Sequence, residues 1–138
     1  MKEQREGQQI YLKALVSGRL IGVCVAKPGF GRNRRNINLG IAIAKRWRGK
    51  GLGRLLLQDL IEHSEKKWNP KHFYLHVVSE NTIAHRLYES LGFRVIAHLP
   101  EWFEYNNIFL DEYLLILDKK TYFTEKSKKK PYGGTKKR

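Results

Sequence analysis

Apolar residues along this chain switch between a period of two and a period near 3.6, and each switch marks an element. QIYLKALV (9–16) and RLIGVCVAK (19–27) read as two strands joined by a tight turn at Ser17-Gly18. KPGFGRNRRN (27–36) is rich in Gly, Pro and Asn and reads as a loop. INLGIAIA (37–44) alternates Ile37, Leu39, Ile41 and Ile43 with small or polar residues, the pattern of a buried strand. Gly40 inside it predicts a bulge or a close backbone approach. From Gly51 to Trp68 the period lengthens: Leu52, Leu55, Leu56, Leu60 and Ile61 share one face of a helix that Asn69-Pro70 ends.

HFYLHVV (72–78) is the next strand. Asn81 then stands as N-cap of a short helix with Ile83, Ala84, Leu87, Tyr88 and Leu91 at helical spacing, and Gly92 closes it. Strands at about 93–100 and 108–117 form a hairpin that bends near Tyr105-Asn106-Asn107. The order is β-β-β-α-β-α-β-β. Strand, long helix, strand is a crossover, so 37–44 and 72–78 are expected to lie parallel in one sheet. The fold class is α+β (mixed α/β), with helices covering a largely antiparallel sheet.

Length and composition narrow this picture. At 138 residues with 41% apolar content the chain is expected to be one folded domain. MKEQREGQQI has no apolar run and is not expected to act as a leader peptide. No stretch approaches the roughly 20 apolar residues that span a bilayer. Cys24 is the single cysteine, which excludes an internal disulfide and a cysteine-rich metal site. A cytoplasmic protein is the simplest expectation, with no metal and no membrane partner.

The net charge of +14 is unevenly distributed. Residues 119–138 carry nine Lys/Arg against one Glu, a net +8, which leaves +6 for residues 1–118. Residues 119–138 are therefore expected to be a flexible basic tail after a domain at 1–118. Such runs are usually solvated, although an acidic, nucleic-acid or ribosomal surface is a natural partner for one. The rest of the excess sits largely in Arg32, Arg34 and Arg35 and around Lys45, Arg46, Arg48, Lys50 and Arg54.

That second cluster surrounds three glycines. RGKGLG (48–53) matches neither the P-loop nor the G-x-G-x-x-G dinucleotide fingerprint, because Arg54 stands where the latter needs glycine. It is R-x-x-G-x-G, placed between a strand and a helix. Glycines allow successive backbone N–H groups to turn toward one point, and the helix start adds about half a positive charge. A pyrophosphate suits such a loop, with Arg48, Lys50 and Arg54 at hand. Alone, the pattern is equally that of a tight connection with a solvated basic rim.

With its flanks, the loop resembles that of the GNAT superfamily of acetyl-CoA-dependent N-acetyltransferases. NLGIAIAKRWRGKGLGRLLL (38–57) is similar to that family's fourth strand, acetyl-CoA loop and following helix. NTIAHRLYESLGF (81–93) is similar to its N-x-x-A-x-x-L-Y-x-x-x-G-F segment, and LDEYLLIL (110–117) stands where its members place a late strand. The resemblance covers residues 9–117 and lies nearest in motif to ribosomal-protein and N-terminal acetyltransferases. It implies transfer of acetyl from acetyl-CoA to a primary amine by direct attack in a ternary complex.

Residue by residue, the resemblance implies that the backbone of Ile41, Ala42 and Ile43 pairs with the pantetheine arm and steadies the developing oxyanion. It implies that Arg48, Gly49, Lys50, Gly51, Leu52, Gly53 and Arg54 receive the pyrophosphate and that Asn81 bonds the pantetheine portion. Tyr88 is implied as the acid that protonates the leaving thiolate. Many relatives carry a base on the fourth strand, where this chain has Asn38. Others carry one on the fifth strand, where this chain has His76, a workable base; Glu80, Glu101, Glu104 and Asp111 remain further candidates. Family members usually open with a strand and one or two helices before the part matching residues 9–16, so the chain reads as N-terminally short. That leaves open a homodimer, an acetyl-CoA-binding protein without turnover, and a basic RNA- or ribosome-associated protein. The acidic hairpin residues Glu101, Glu104, Asp111 and Glu112 could attract a cationic acceptor.

Overall fold

A computed structural model describes residues 8–129. The chain divides into two compact units, the first ending at Leu75 and the second beginning at His76. Strand β4 (His72–Val78) runs through that division.

In the first unit, β1 (Ile10–Val16) and β2 (Arg19–Pro28) form an antiparallel hairpin. Its turn residues Ser17 and Gly18 both have positive φ, 50° and 79°, the handedness that matches strand twist in a two-residue turn. β3 (Asn36–Ile43) pairs antiparallel with β2, from Gly22↔Ile43 to Pro28↔Ile37. On its other side β3 meets β4 in the expected parallel ladder, registered at Asn36↔His72, Ile37↔Phe73 and Asn38↔Tyr74. The β2–β3 register runs without a shift, so Gly40 is not a bulge. A Cβ there would lie 3.4 Å from Val25 Cγ1, an ordinary contact. The irregularity falls in β1, between Ala14 and Leu15. The close approach falls at Gly22, where a Cβ would stand 3.0 Å from Ile43 Cδ1 and 3.1 Å from Leu56 Cδ1.

That approach lets helix α1 (Leu52–Trp68) lie tightly on the strands. Its buried stripe is Leu56, Leu57, Leu60, Ile61 and Ser64, the i, i+1, i+4, i+5 spacing of one helix face. Here the structure corrects the expectation. Leu55 is 62% exposed, whereas Leu57 is fully buried. At about 3.6 residues per turn Leu57 lies within the arc of Leu56, Leu60 and Ile61, and Leu55 lies on the opposite side of the helix. Asn69 ends the helix in the left-handed conformation (φ 47°), its N–H donating to Glu65 O at 2.9 Å. Lys66 and Lys67 in the last turn complement the dipole. The strands of this unit bury Ile21, Cys24, Ala26, Ile37, Leu39, Phe73 and Leu75, with Cys24 on the face against α1. Cys24 donates to Leu56 O at 3.6 Å, and burial pushes its thiol up to about 11, so it is an inert core group.

In the second unit, helix α2 (Thr82–Leu91) leads through Gly92 (φ 107°) into β5 (Phe93–Tyr105), which pairs antiparallel with β6 (Ile108–Leu117). Asn106 and Asn107 make the turn with φ 52° and 62°, the both-positive geometry that asparagine tolerates best after glycine. β5 is longer than expected. It passes Pro100 and the left-handed Glu101 (φ 50°) through a register shift between Leu99 and Phe103. As the outer strand it tolerates a proline that donates no hydrogen bond. The core-facing residues of α2 are Tyr88 and Leu91; Ile83, expected on that face, is 74% exposed.

The basic segment after residue 118 is also corrected in part. Lys119–Lys129 form helix α3, started by Asp118, whose carboxylate accepts from Thr121 N at 3.2 Å and Thr121 Oγ1 at 2.9 Å. Those bonds, the backbone one foremost, hold the Asp118 carboxyl below its usual range. Tyr122 buries its side chain and draws the helix in. The rest of the expected tail, residues 130–138, lies outside the described residues. Among those described, no helix is long and apolar enough to cross a membrane.

The contrast along α1 is measurable. Leu57→Ala should cost about 2–5 kcal/mol of unfolding free energy. Leu55→Ala should change it by less than about 0.5 kcal/mol. Urea unfolding of the two variants beside the parent chain reads the difference.

Candidate functional site

Each unit carries part of the residue set. In the first, Ile41, Ala42 and Ile43 pair with Cys24, Val23 and Gly22 of β2, beyond the registered β3–β4 pairs. β3 then turns through a single 3₁₀ turn, Lys45–Trp47, with Trp47 N donating to Ala44 O at 2.8 Å. Arg48 is extended (φ −76°, ψ 153°) and its Nε donates to Ile43 O at 2.9 Å. The loop is thereby tied back to the strand, while the Nη groups of the guanidinium fork still offer donors.

Gly49 and Gly51 take φ of 76° and 86°, and a Cβ on either would meet nothing within 4 Å. Glycine is needed here for its dihedrals, since space is plentiful. Gly51 immediately precedes α1, has no side chain to cap it, and no acidic residue stands in the first turn. Leu55 N is bonded to Gly51 O at 3.2 Å. The N–H groups of Leu52 and Gly53 precede that first turn of the ladder, where intrahelical acceptors are lacking. Lys50 and Arg48 are exposed beside them. An uncapped helix start with left-handed glycines and a cationic rim fits a pyrophosphate.

In the second unit, Asn81 is the N-cap of α2 as expected, its Oδ1 accepting from Ala84 N at 3.1 Å. That bond uses the carbonyl oxygen and leaves the amide NH₂ as a donor. Tyr88 is 8% exposed and packs edge-on against Phe93, ring centroids 6.1 Å apart. Burial pushes its phenol above the usual tyrosine range, so it keeps its proton throughout the neutral range. A buried ring and a retained proton thus belong to one side chain.

His76 is exposed, and its Nδ1 lies 3.1 Å from Glu112 Oε1. The remaining acids separate clearly. Asp111 accepts from Glu101 N at 2.9 Å and from His98 Nε2 at 2.7 Å, which lower its carboxyl below the usual range, the backbone bond most. It is a clamp across the hairpin. Glu80, Glu101 and Glu104 are exposed. Tyr113 stacks on His98 at 5.1 Å and meets the His85 edge at 5.3 Å. Sequence reasoning missed both histidine–carboxylate pairs. Both join positions far apart in the chain, and for His98–Asp111 the register shift between Leu99 and Phe103 also defeats counting outward from the turn.

Comparison with known proteins assigns the family. A profile of the acetyltransferase (GNAT) family matches residues 1–93, and the chain belongs to that family. N-alpha-acetyltransferase 60 of Xenopus tropicalis is 33% identical over 81 residues, 57% of this chain and 34% of that protein. Spermidine N(1)-acetyltransferase of Vibrio cholerae is 38% identical over 77 residues, 56% of this chain and 44% of that protein. The chain thus matches less than half the length of either relative. A GNAT-family acetyltransferase from Streptococcus pneumoniae superimposes with a TM-score of 0.74 at 27% identity, covering 82% of this chain and 70% of that one. Ribosomal-protein-alanine N-acetyltransferase from Brucella melitensis shares the fold, with a TM-score of 0.75 at 23% identity over 83% and 72% of the two chains.

The structural part of the Asn81 role can be isolated. Asn81→Ala should lower unfolding free energy by about 1 kcal/mol, and Asn81→Ser should restore most of it. Thermal unfolding of both variants checks this.

Proposed function

We propose that this protein is an N-acetyltransferase that moves acetyl from acetyl-CoA to a primary amine. The observation that carries the reading is the loop Arg48–Gly51 entering an uncapped α1 with Gly49 and Gly51 left-handed. Bound acetyl-CoA supplies an activated acetyl thioester. The chain's own groups do the rest. Arg48, Lys50 and the N–H groups at the start of α1 hold the pyrophosphate. The Ile41–Ile43 backbone bonds the pantetheine amides, and an N–H there steadies charge developing on the carbonyl oxygen. Asn81 donates its side-chain NH₂ to the same arm. His76 takes a proton from the acceptor ammonium, since only the free amine is nucleophilic. Tyr88 gives its proton to the departing thiolate.

Membership of the family supports the cofactor and the reaction class. One relative is named for protein N-termini and the other for spermidine, and both are primary-amine acceptors, so the acceptor is proposed at that level. We place the reaction in the cytoplasm.

Calorimetric titration with acetyl-CoA tests the loop. The intact chain should bind, and the Lys50→Glu/Gly51→Asp variant should bind at least about 100-fold more weakly, as expected for two new carboxylates against a phosphate group. Failure of the intact chain to bind would sink the reading. Thiol release with a mixed pool of peptides and polyamines tests turnover; binding without release would make this an acetyl-CoA-binding protein only.

Tyr88→Phe separates acid from core. It should leave acetyl-CoA affinity within about twofold and lower kcat by about 10²-fold or more. An unchanged kcat would return Tyr88 to the core.

A further inference from the structure

The pair His76–Glu112 joins the proposed base to a carboxylate on β6. β6 is held against the chain after β4 by Ser79 N donating to Asp111 O at 2.8 Å. Asp111 and Glu112 are consecutive, so their side chains leave opposite faces of the strand. Each holds a histidine: Asp111 holds His98 Nε2 at 2.7 Å, and Glu112 holds His76 Nδ1 at 3.1 Å. The surroundings differ. The His98–Asp111 pair is open to solvent, at 52% and 38% side-chain exposure, whereas the Glu112 side chain is only 13% exposed beside a His76 at 34%. A carboxylate so covered has a fixed direction, and an exposed ion pair would be worth little in stability.

We propose that Glu112 is a positioning residue that holds His76 in the tautomer with Nδ1 protonated and so places the basic lone pair on Nε2. This inference rests on the acetyltransferase reading above and deepens it. An ionised carboxylate only accepts hydrogen bonds, so the proton between the two groups belongs to Nδ1. In the neutral imidazole the other nitrogen is then the acceptor. When the acceptor ammonium gives up a proton, it passes to Nε2, and the positive charge formed on the ring faces the Glu112 carboxylate. Orientation and charge compensation come from one group, as with the buried carboxylate of a serine–histidine–aspartate triad.

Two measurements on the full-length chain decide this. The first is nitrogen NMR of ¹⁵N-histidine-labelled protein at alkaline pH, where protonated and bare ring nitrogens differ widely in shift. His76 should show bare Nε2 in the parent and a shift toward protonated Nε2 in Glu112→Ala. Glu112→Gln, which keeps an acceptor oxygen, should retain the parent pattern and serves if the alanine variant does not fold. The second is a double-mutant cycle on kcat. His76→Ala should lower kcat by about 10²-fold or more, and Glu112→Ala by about tenfold in the parent but less than about twofold in the His76→Ala background. KM for acetyl-CoA should stay within twofold throughout, and added imidazole should restore part of the rate to His76→Ala. An unchanged ring pattern in Glu112→Ala, or equal cost in both backgrounds, would overturn the proposal. If the intact chain binds acetyl-CoA but releases no thiol with any amine, the acetyltransferase reading fails, while the ring pattern still decides whether Glu112 sets the tautomer.

Discussion

The geometry of the Arg48–Gly51 loop depends on α1 being held in place, and burial of its Leu56, Leu57, Leu60 and Ile61 stripe holds it there. Each such side chain is worth about 1.5–3 kcal/mol when removed from water. That energy does more than hold a helix. It fixes where the N–H groups of Leu52 and Gly53 at the helix start point, and those groups would otherwise fray into solvent. Gly22 contributes from below, because the contacts of 3.0 and 3.1 Å that a Cβ would make there leave no room for one. Gly49 and Gly51 contribute from above, by taking dihedrals that place a strand end and a helix start only a few residues apart. Arg48 links the two, bonding the loop to Ile43 O at 2.9 Å.

The second unit is organised by different means. Its hairpin turns on two left-handed asparagines, and its register is interrupted twice. Carboxylates on β6 stabilise this irregular geometry: Asp111 takes both the Glu101 N–H and His98, and so closes the loop around Pro100. Consecutive acids on a strand face opposite ways, so one serves the hairpin while its neighbour reaches His76. Tyr88 shows the same economy, since burial against Phe93 both fills the core and keeps its hydroxyl protonated.

Much of this was legible in the residues alone. The strands and both central helices were readable because period, caps and breakers agreed at each of them: Ser17-Gly18, Asn69-Pro70, Asn81 and Gly92 all end or start elements where expected. The glycine-rich loop between strand and helix was readable because its glycines, the helix start and its basic flanks are all local properties. The three-leucine run was misassigned: at about 3.6 residues per turn Leu57 falls within the arc of Leu56, Leu60 and Ile61, and Leu55 falls opposite it, as their burial shows. The helix at Lys119–Lys129 was hidden by its charge, which gave no hint that Tyr122 would be buried.

The sequence by itself therefore determined the elements, the family and the loop that suits a pyrophosphate, since each is encoded within a dozen adjacent residues. Tertiary structure alone decided that Gly40 is in register and that His76 meets Glu112 thirty-six positions away. Those depend on which strands lie side by side and in what register, and no local pattern records either.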